Sequence, residues 1–159
     1  MMRELSTINY LKKEYKELNL HPLSYIGCTV GLINNDDLFH WRISLLGPND
    51  SVYAGGLYFL NADFDEHYPD TPPNIRFITK IYHLNISPID GEISLSTLCY
   101  WVPKTPMKEV LYHIFILFYE QNPGCSFKLQ MAEEFKTDRN EFNRKAKEWT
   151  KKYASIKIR

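Results

Sequence analysis

At 159 residues, with 44% hydrophobic and 24% charged side chains, the chain has the length and composition of one globular domain spanning 1–159, large enough to fold without staples. Nineteen basic and nineteen acidic residues cancel to a formal net charge of zero, which argues against a nucleic-acid partner, because no basic excess exists to displace counterions from phosphates. The odd cysteine set (Cys28, Cys99, Cys125) and the scattered histidines predict no disulfide framework, no metal site and no cofactor. The lack of a signal-like or membrane-length apolar run predicts a cytoplasmic or nuclear protein with no membrane partner.

Leu5, Ile8, Leu11, Tyr15 and Leu18 recur at spacings of three and four and predict an amphipathic N-terminal helix ended by His21-Pro22. Apolar stretches of strand length follow at 25–33 and 38–46, separated by the turn formers Asn34-Asn35-Asp36-Asp37. Gly47-Pro48-Asn49-Asp50 is a second turn, Gly55-Gly56 precedes a third strand at 57–64, and a proline-rich break from Tyr68 to Pro73 leads to a short fourth at 75–78. The class is therefore α+β: a helix, a four-stranded antiparallel meander, then more helices.

Residues 80–106 show no period, and irregular segments of that length inside compact domains are usually functional. Val110, Leu111, Ile114, Leu117 and Phe118 mark a strongly apolar helix with Pro106 at its start and Asn122-Pro123-Gly124 as its stop. A short helix fits 127–135. A last one, capped by Thr137 or Asp138, turns Phe142, Ala146, Trp149 and Tyr153 to one side, and the basic run 145–159 reads as its solvated face.

Several strings go beyond what patterning explains. Phe39-His40-Trp41, Gly47-Pro48-Asn49-Asp50-Ser51, Tyr53-Ala54-Gly55-Gly56, Tyr68-Pro69 with Pro72-Pro73, Lys80-Ile81-Tyr82-His83, Trp101-Val102-Pro103 and Gln121-Asn122-Pro123 follow one another in a fixed order. With the tail from Lys136 to Ala154, they make the chain resemble the core domain of the ubiquitin-conjugating enzymes from about residue 5 to 154, closest to members that consist of the core alone. The resemblance implies the UBC fold, with a long active-site loop between the sheet and the C-terminal helices. It also implies ubiquitin or a related modifier and its activating enzyme as partners.

In that family a cysteine accepts the modifier's terminal glycine as a thioester, which a substrate lysine then attacks. A thiol suits the task because it is intrinsically nucleophilic and ionises near neutrality. The family's His-Pro-Asn string stands here as His83-Leu84-Asn85. By resemblance His83 is a structural residue and Asn85 the side chain that stabilises the oxyanion. Without the resemblance they are a satisfied histidine and a turn-forming asparagine. Leu84 in place of proline predicts a less rigid backbone.

The family's Gly-x-Ile-Cys-Leu reads Gly91-Glu92-Ile93-Ser94-Leu95, which puts Ser94 in the nucleophile's position, with one extra residue after His83 and one fewer before Trp101. A hydroxyl needs a partnered base, and an oxyester is a poorer donor to lysine than a thioester. Ser94 is either an engineered trap or a natural loss. The surroundings favour the latter, since an expected aspartate is Ser96 and an expected acidic pair is Gly124-Cys125. The ligase-facing surface, which the resemblance places at Asp70, Pro103 and Lys104, departs as well, at Asp70 and at Val102 and Lys104 on either side of the retained Pro103, so a ligase contact is expected to be weakened. Cys99 and Cys125 are candidates for a displaced nucleophile, although a free cysteine is more often a small buried hydrophobe. Two functions follow: a conjugating enzyme that has lost or traps its acyl transfer, and an inactive binding module for the modifier, a ligase or an active conjugating enzyme. An unspecific scaffold with drifted loops is a remote third.

Overall fold

The computed structural model describes residues 1–156. Helix α1 spans Met2–Leu20 and buries Leu11 and Leu18 as their spacing predicts, but Leu5 is 59% exposed. Thr7 takes the buried place one turn before Leu11. Its hydroxyl lies 2.8 Å from the carbonyl of Glu66 and 3.1 Å from that of Tyr68, so the start of α1 is fastened to a turn by a polar contact that no apolar period could reveal.

The first strand is shorter than its apolar run. Ser24–Ile26 forms a 3₁₀ turn closed by Gly27 at φ 63°, a left-handed conformation open to glycine, and β1 (Cys28–Leu32) starts only after it. β2 (His40–Leu46), β3 (Leu57–Asp63) and β4 (Asn74–Phe77) complete an antiparallel sheet in the order β1-β2-β3-β4. The register pairs Ile43 with both Val30 and Leu60, and Ala62 with Ile75. Trp41, Ile43, Leu45, Tyr58, Leu60, Ala62, Ile75 and Phe77 point inward, while Arg42, Leu46, Phe59 and Asp63 face away from the core; this is the alternation of a sheet covered on one side.

α1 lies on that inner face, with Tyr15 set edge-on to Trp41 at 5.5 Å between ring centres. Glu14, partly buried beside it, accepts from the Tyr68 hydroxyl and from the Met107 N–H at 2.9 Å. The carboxylate thereby caps helix α3 (Met107–Ile116) from another element, and burial raises its pKa. Pro106 precedes α3 in an extended conformation, which places the proline just outside the helix.

The C-terminal region holds α4 (Leu129–Thr137) and α5 (Arg139–Tyr153), numbered after a short helix α2 (Ser96–Cys99) in the long loop. Of the two candidate caps of α5, Asp138 is the one whose side chain accepts a helix N–H, that of Glu141 at 3.3 Å. Phe142 and Ala146 are buried as their spacing predicts, whereas Tyr153 is 37% exposed. Thr150 is buried instead and hydrogen-bonds the Tyr58 hydroxyl at 2.9 Å, tying α5 to the sheet. Among the described residues no helix is long and apolar enough to cross a membrane.

Candidate functional site

The loop between β4 and α3 is ordered by burial rather than by repeating structure. Ile81, Tyr82, Leu84, Ile86 and Ile93 all sit in the core, and Ile86 bridges to Ile93 across the turn between them. Gly91, at φ 74°, lets this turn lie against β4. Its carbonyl accepts the Phe77 N–H at 2.9 Å, and neighbouring Glu92 bridges to Arg76. α2 follows directly, a single turn that sequence patterning missed because four residues carry no period.

His83 is fully enclosed. Its Nε2 donates to the Leu117 carbonyl at 2.6 Å, and its Nδ1 accepts the Asn85 N–H at 3.0 Å. That pair of contacts fixes the neutral ring with its proton on Nε2, leaving neither nitrogen for proton transfer. Burial lowers its pKa from 6.5 to about 4, against a smaller opposing effect of the Leu117 carbonyl. The unfolded chain therefore binds a proton below 6.5 that the native state refuses. Stability from this group is full above pH 6.5 and is lost as pH falls towards 4, by about 3 kcal/mol in all. Urea titrations at about pH 4.5 and 7.5 should show this slope in the native protein and a shallower one in His83→Gln; equal slopes would refute the assignment.

Leu84 is fully buried, and its N–H, which a proline would lack, is accepted by Gln121 Oε1 at 2.9 Å. Gln121 then donates through Nε2 to the Tyr53 hydroxyl, which itself donates to the Tyr82 carbonyl. The expected slackness at position 84 is offset by this bridge. Asn85 is likewise buried and committed. Its Nδ2 donates to the carbonyls of Asn122 at 2.9 Å and Cys125 at 3.2 Å, and its Oδ1 accepts the Asn122 N–H at 2.8 Å. An oxyanion could draw on this amide only if one of those two contacts opened.

Ser94 is half-buried and donates its N–H to the Asn85 carbonyl at 2.8 Å. One residue thus holds the nucleophile's position through its backbone and the 122–125 loop through its side chain. Ser94, Cys99, His113, Glu120 and Cys125 line one cavity of about 550 Å³. His113 bonds through Nδ1 to the Thr97 hydroxyl, and among the described residues the Ser94 hydroxyl has no hydrogen-bonded base. Sequence proximity could not find His113 or Glu120. His113 lies on α3 outside its buried Val110, Leu111 and Ile114 stripe, and Glu120 reaches the cavity from beyond the end of that helix at Ile116, so no helical spacing relates the two.

Asp70, Pro103 and Lys104 are brought to one exposed corner. The Lys104 N–H and the Trp101 Nε1–H both donate to the Pro69 carbonyl at 3.0 Å, with Lys104 held at φ 66°. Among the described residues there is no cluster of His, Cys, Asp or Glu able to hold a metal ion.

A family model described as "Ubiquitin-conjugating enzyme" matches residues 10–150. The chain belongs to the ubiquitin-conjugating enzyme family. Family members interact with ubiquitin and with its activating and ligating enzymes, and the helix, four-stranded sheet and C-terminal helices are consistent with the UBC fold. In this family member, position 94 carries a hydroxyl, and the loop facing it carries Gly124 and Cys125 where an acidic pair is expected.

Proposed function

We propose that the chain engages a ubiquitin-like modifier and its activating enzyme through the conjugating-enzyme fold, in the cytoplasm or nucleus, with Ser94 holding the nucleophile's place but not performing the transfer. The observation that carries this reading is the Ser94 hydroxyl, which lines an intact cavity yet has no base hydrogen-bonded to it among the described residues. A hydroxyl without such a partner stays protonated near neutrality and is a weak acceptor of acyl groups. The commitment of Asn85 to the 122–125 loop points the same way, since stabilising an oxyanion would require giving up a native hydrogen bond. The corner at Asp70, Pro103 and Lys104, altered at Asp70 and Lys104, fits a weakened ligase contact, and leaves an active conjugating enzyme as an alternative partner.

A second reading, the oxyester trap, draws on the backbone anchor of Ser94 to Asn85, which keeps the hydroxyl at the cavity wall. The two separate on gels. The chain is incubated with ubiquitin, activating enzyme and ATP, and the products are run with thiol, without it, and after mild alkali, beside a direct binding measurement. The expected result is binding to ubiquitin or to the charged activating enzyme, without a thiol-resistant, alkali-labile band. Such a band, absent from Ser94→Ala, would establish the trap. Absence of binding to either protein would overturn the engagement itself.

A further inference from the structure

We propose that the cavity retains a working acyl acceptor, displaced from position 94 to the thiol of Cys125. The inference rests on the reading that the cavity admits the modifier's carboxyl-terminal tail. Three nucleophilic side chains, Ser94, Cys99 and Cys125, line that one cavity, and both thiols in it are free and exposed. The third cysteine, Cys28, is buried at the start of β1, and burial pushes its thiol pKa up to about 12, so it is inert by comparison.

What distinguishes Cys125 from Cys99 is its tie to Ser94. The Asn85 carbonyl holds the Ser94 N–H at 2.8 Å, and the Asn85 amide holds the Cys125 carbonyl at 3.2 Å, so the two residues share one buried anchor across the cavity mouth. Cys99 has no such link; it closes the single turn of α2, five residues further along the chain. The Cys125 sulfur also has a donor, Asn122 Nδ2 at 3.4 Å. Asn122 in turn is fixed by Asn85 and accepts the Gly124 N–H at 2.9 Å, so the sulfur is positioned by a network rather than carried on a free loop. A tail delivered to Ser94 would enter the same cavity as a thiol held in place.

The chemistry balances without any redox partner. The Cys125 thiolate adds to the carbonyl carbon of the thioester that links the modifier's terminal glycine to a cysteine of the activating enzyme. The tetrahedral oxyanion collapses, the original carbon–sulfur bond breaks, and the departing thiolate takes up the proton that Cys125 released. A thioester replaces a thioester, so the acyl group stays reactive towards an amine.

The test uses the full chain with two acyl donors. The first is the activating enzyme with ubiquitin and ATP. The second is ubiquitin carrying a synthetic carboxyl-terminal thioester of a small sulfonate thiol, which needs no enzyme. With both, a thiol-labile adduct is expected in the native protein, in Ser94→Ala and in Cys99→Ser, and is expected to be lost in Cys125→Ser. With the synthetic donor, peptide mapping should find Cys125 acylated about tenfold faster than Cys99, the advantage of a positioned over an unpositioned thiol. An adduct that survives Cys125→Ser and vanishes in Cys99→Ser would overturn the assignment. Binding of ubiquitin or of the charged activating enzyme with no thiol-labile adduct would also overturn it, while leaving the proposed function standing. Absence of binding with Cys125 still selectively acylated by the synthetic donor would do the reverse.

Discussion

Ser94→Cys, made in a Cys125→Ser background, should turn a chain that forms no thioester at position 94 into one that charges there, with a thiol-labile ubiquitin adduct accumulating at least about a hundredfold faster than in the parent. The reasoning is local. Sulfur for oxygen adds little bulk at a half-buried residue opening onto a cavity of about 550 Å³, and the backbone anchor to Asn85 does not depend on the side chain. Around 3% of an ordinary thiol is already thiolate at neutral pH, without the hydrogen-bonded base that Ser94 lacks. Transfer onward to lysine should stay slow, because Gly124 and Cys125 offer no carboxylate where resemblance to the family leads one to expect an acidic pair. Failure to charge in a variant whose thermal midpoint matches the parent's would show that the surface delivering the modifier has decayed, not only the nucleophile.

Gly91→Ala should be among the most damaging single methyl groups that can be added near the site. A Cβ there would stand 1.9 Å from the Phe77 carbonyl oxygen, at a residue whose φ of 74° already disfavours a side chain. Neither partner can yield cheaply, since that oxygen is backbone and Phe77 is buried in the core. The turn must lift from β4, breaking the Phe77 N–H contact to Gly91 and shifting Ser94 three residues on. A cost of about 3 kcal/mol corresponds to a fall of roughly 6–12 °C in thermal midpoint for a chain of this size. Gly55→Ala is the control: φ is also positive, at 83°, but nothing lies within 4 Å of the added atom. A Gly91 variant no less stable than this control would mean that the turn yields without cost.

The sheet is legible because its strands are apolar stretches bounded by turn formers such as Asn34-Asn35-Asp36-Asp37 and Gly47-Pro48-Asn49-Asp50, and those boundaries survive errors of a few residues at the strand ends. The start of β1 is hidden because Tyr25 and Ile26 look like strand residues, while Gly27 turns the chain left-handed between them and Cys28. The apolar spacing of α1 reveals the helix but puts Leu5 on its inner face and leaves Thr7 out, since the carbonyls that receive Thr7 lie about sixty residues away. The loop from 80 to 106 shows no period because residues 81–86 are buried in one unbroken run, and Ile93 joins the core only beyond the turn. At the site, Ser94, Asn85 and His83 were recognised from strings of residues. Their connections were not: the contacts of Asn85 with Asn122 and Cys125 span 37 and 40 positions, and His113 reaches the cavity from the next helix.

The bridge between Leu84 and Gln121 makes two distant positions behave as one lock. The amide hydrogen at 84 and the side-chain oxygen at 121 answer one another across 37 positions of the chain. Leu84→Pro would strand the Gln121 oxygen and empty the space filled by a fully enclosed Leu84 side chain. Altering Gln121 as well would remove the stranded oxygen but not refill that space, so the lock opens only with a loss of packing.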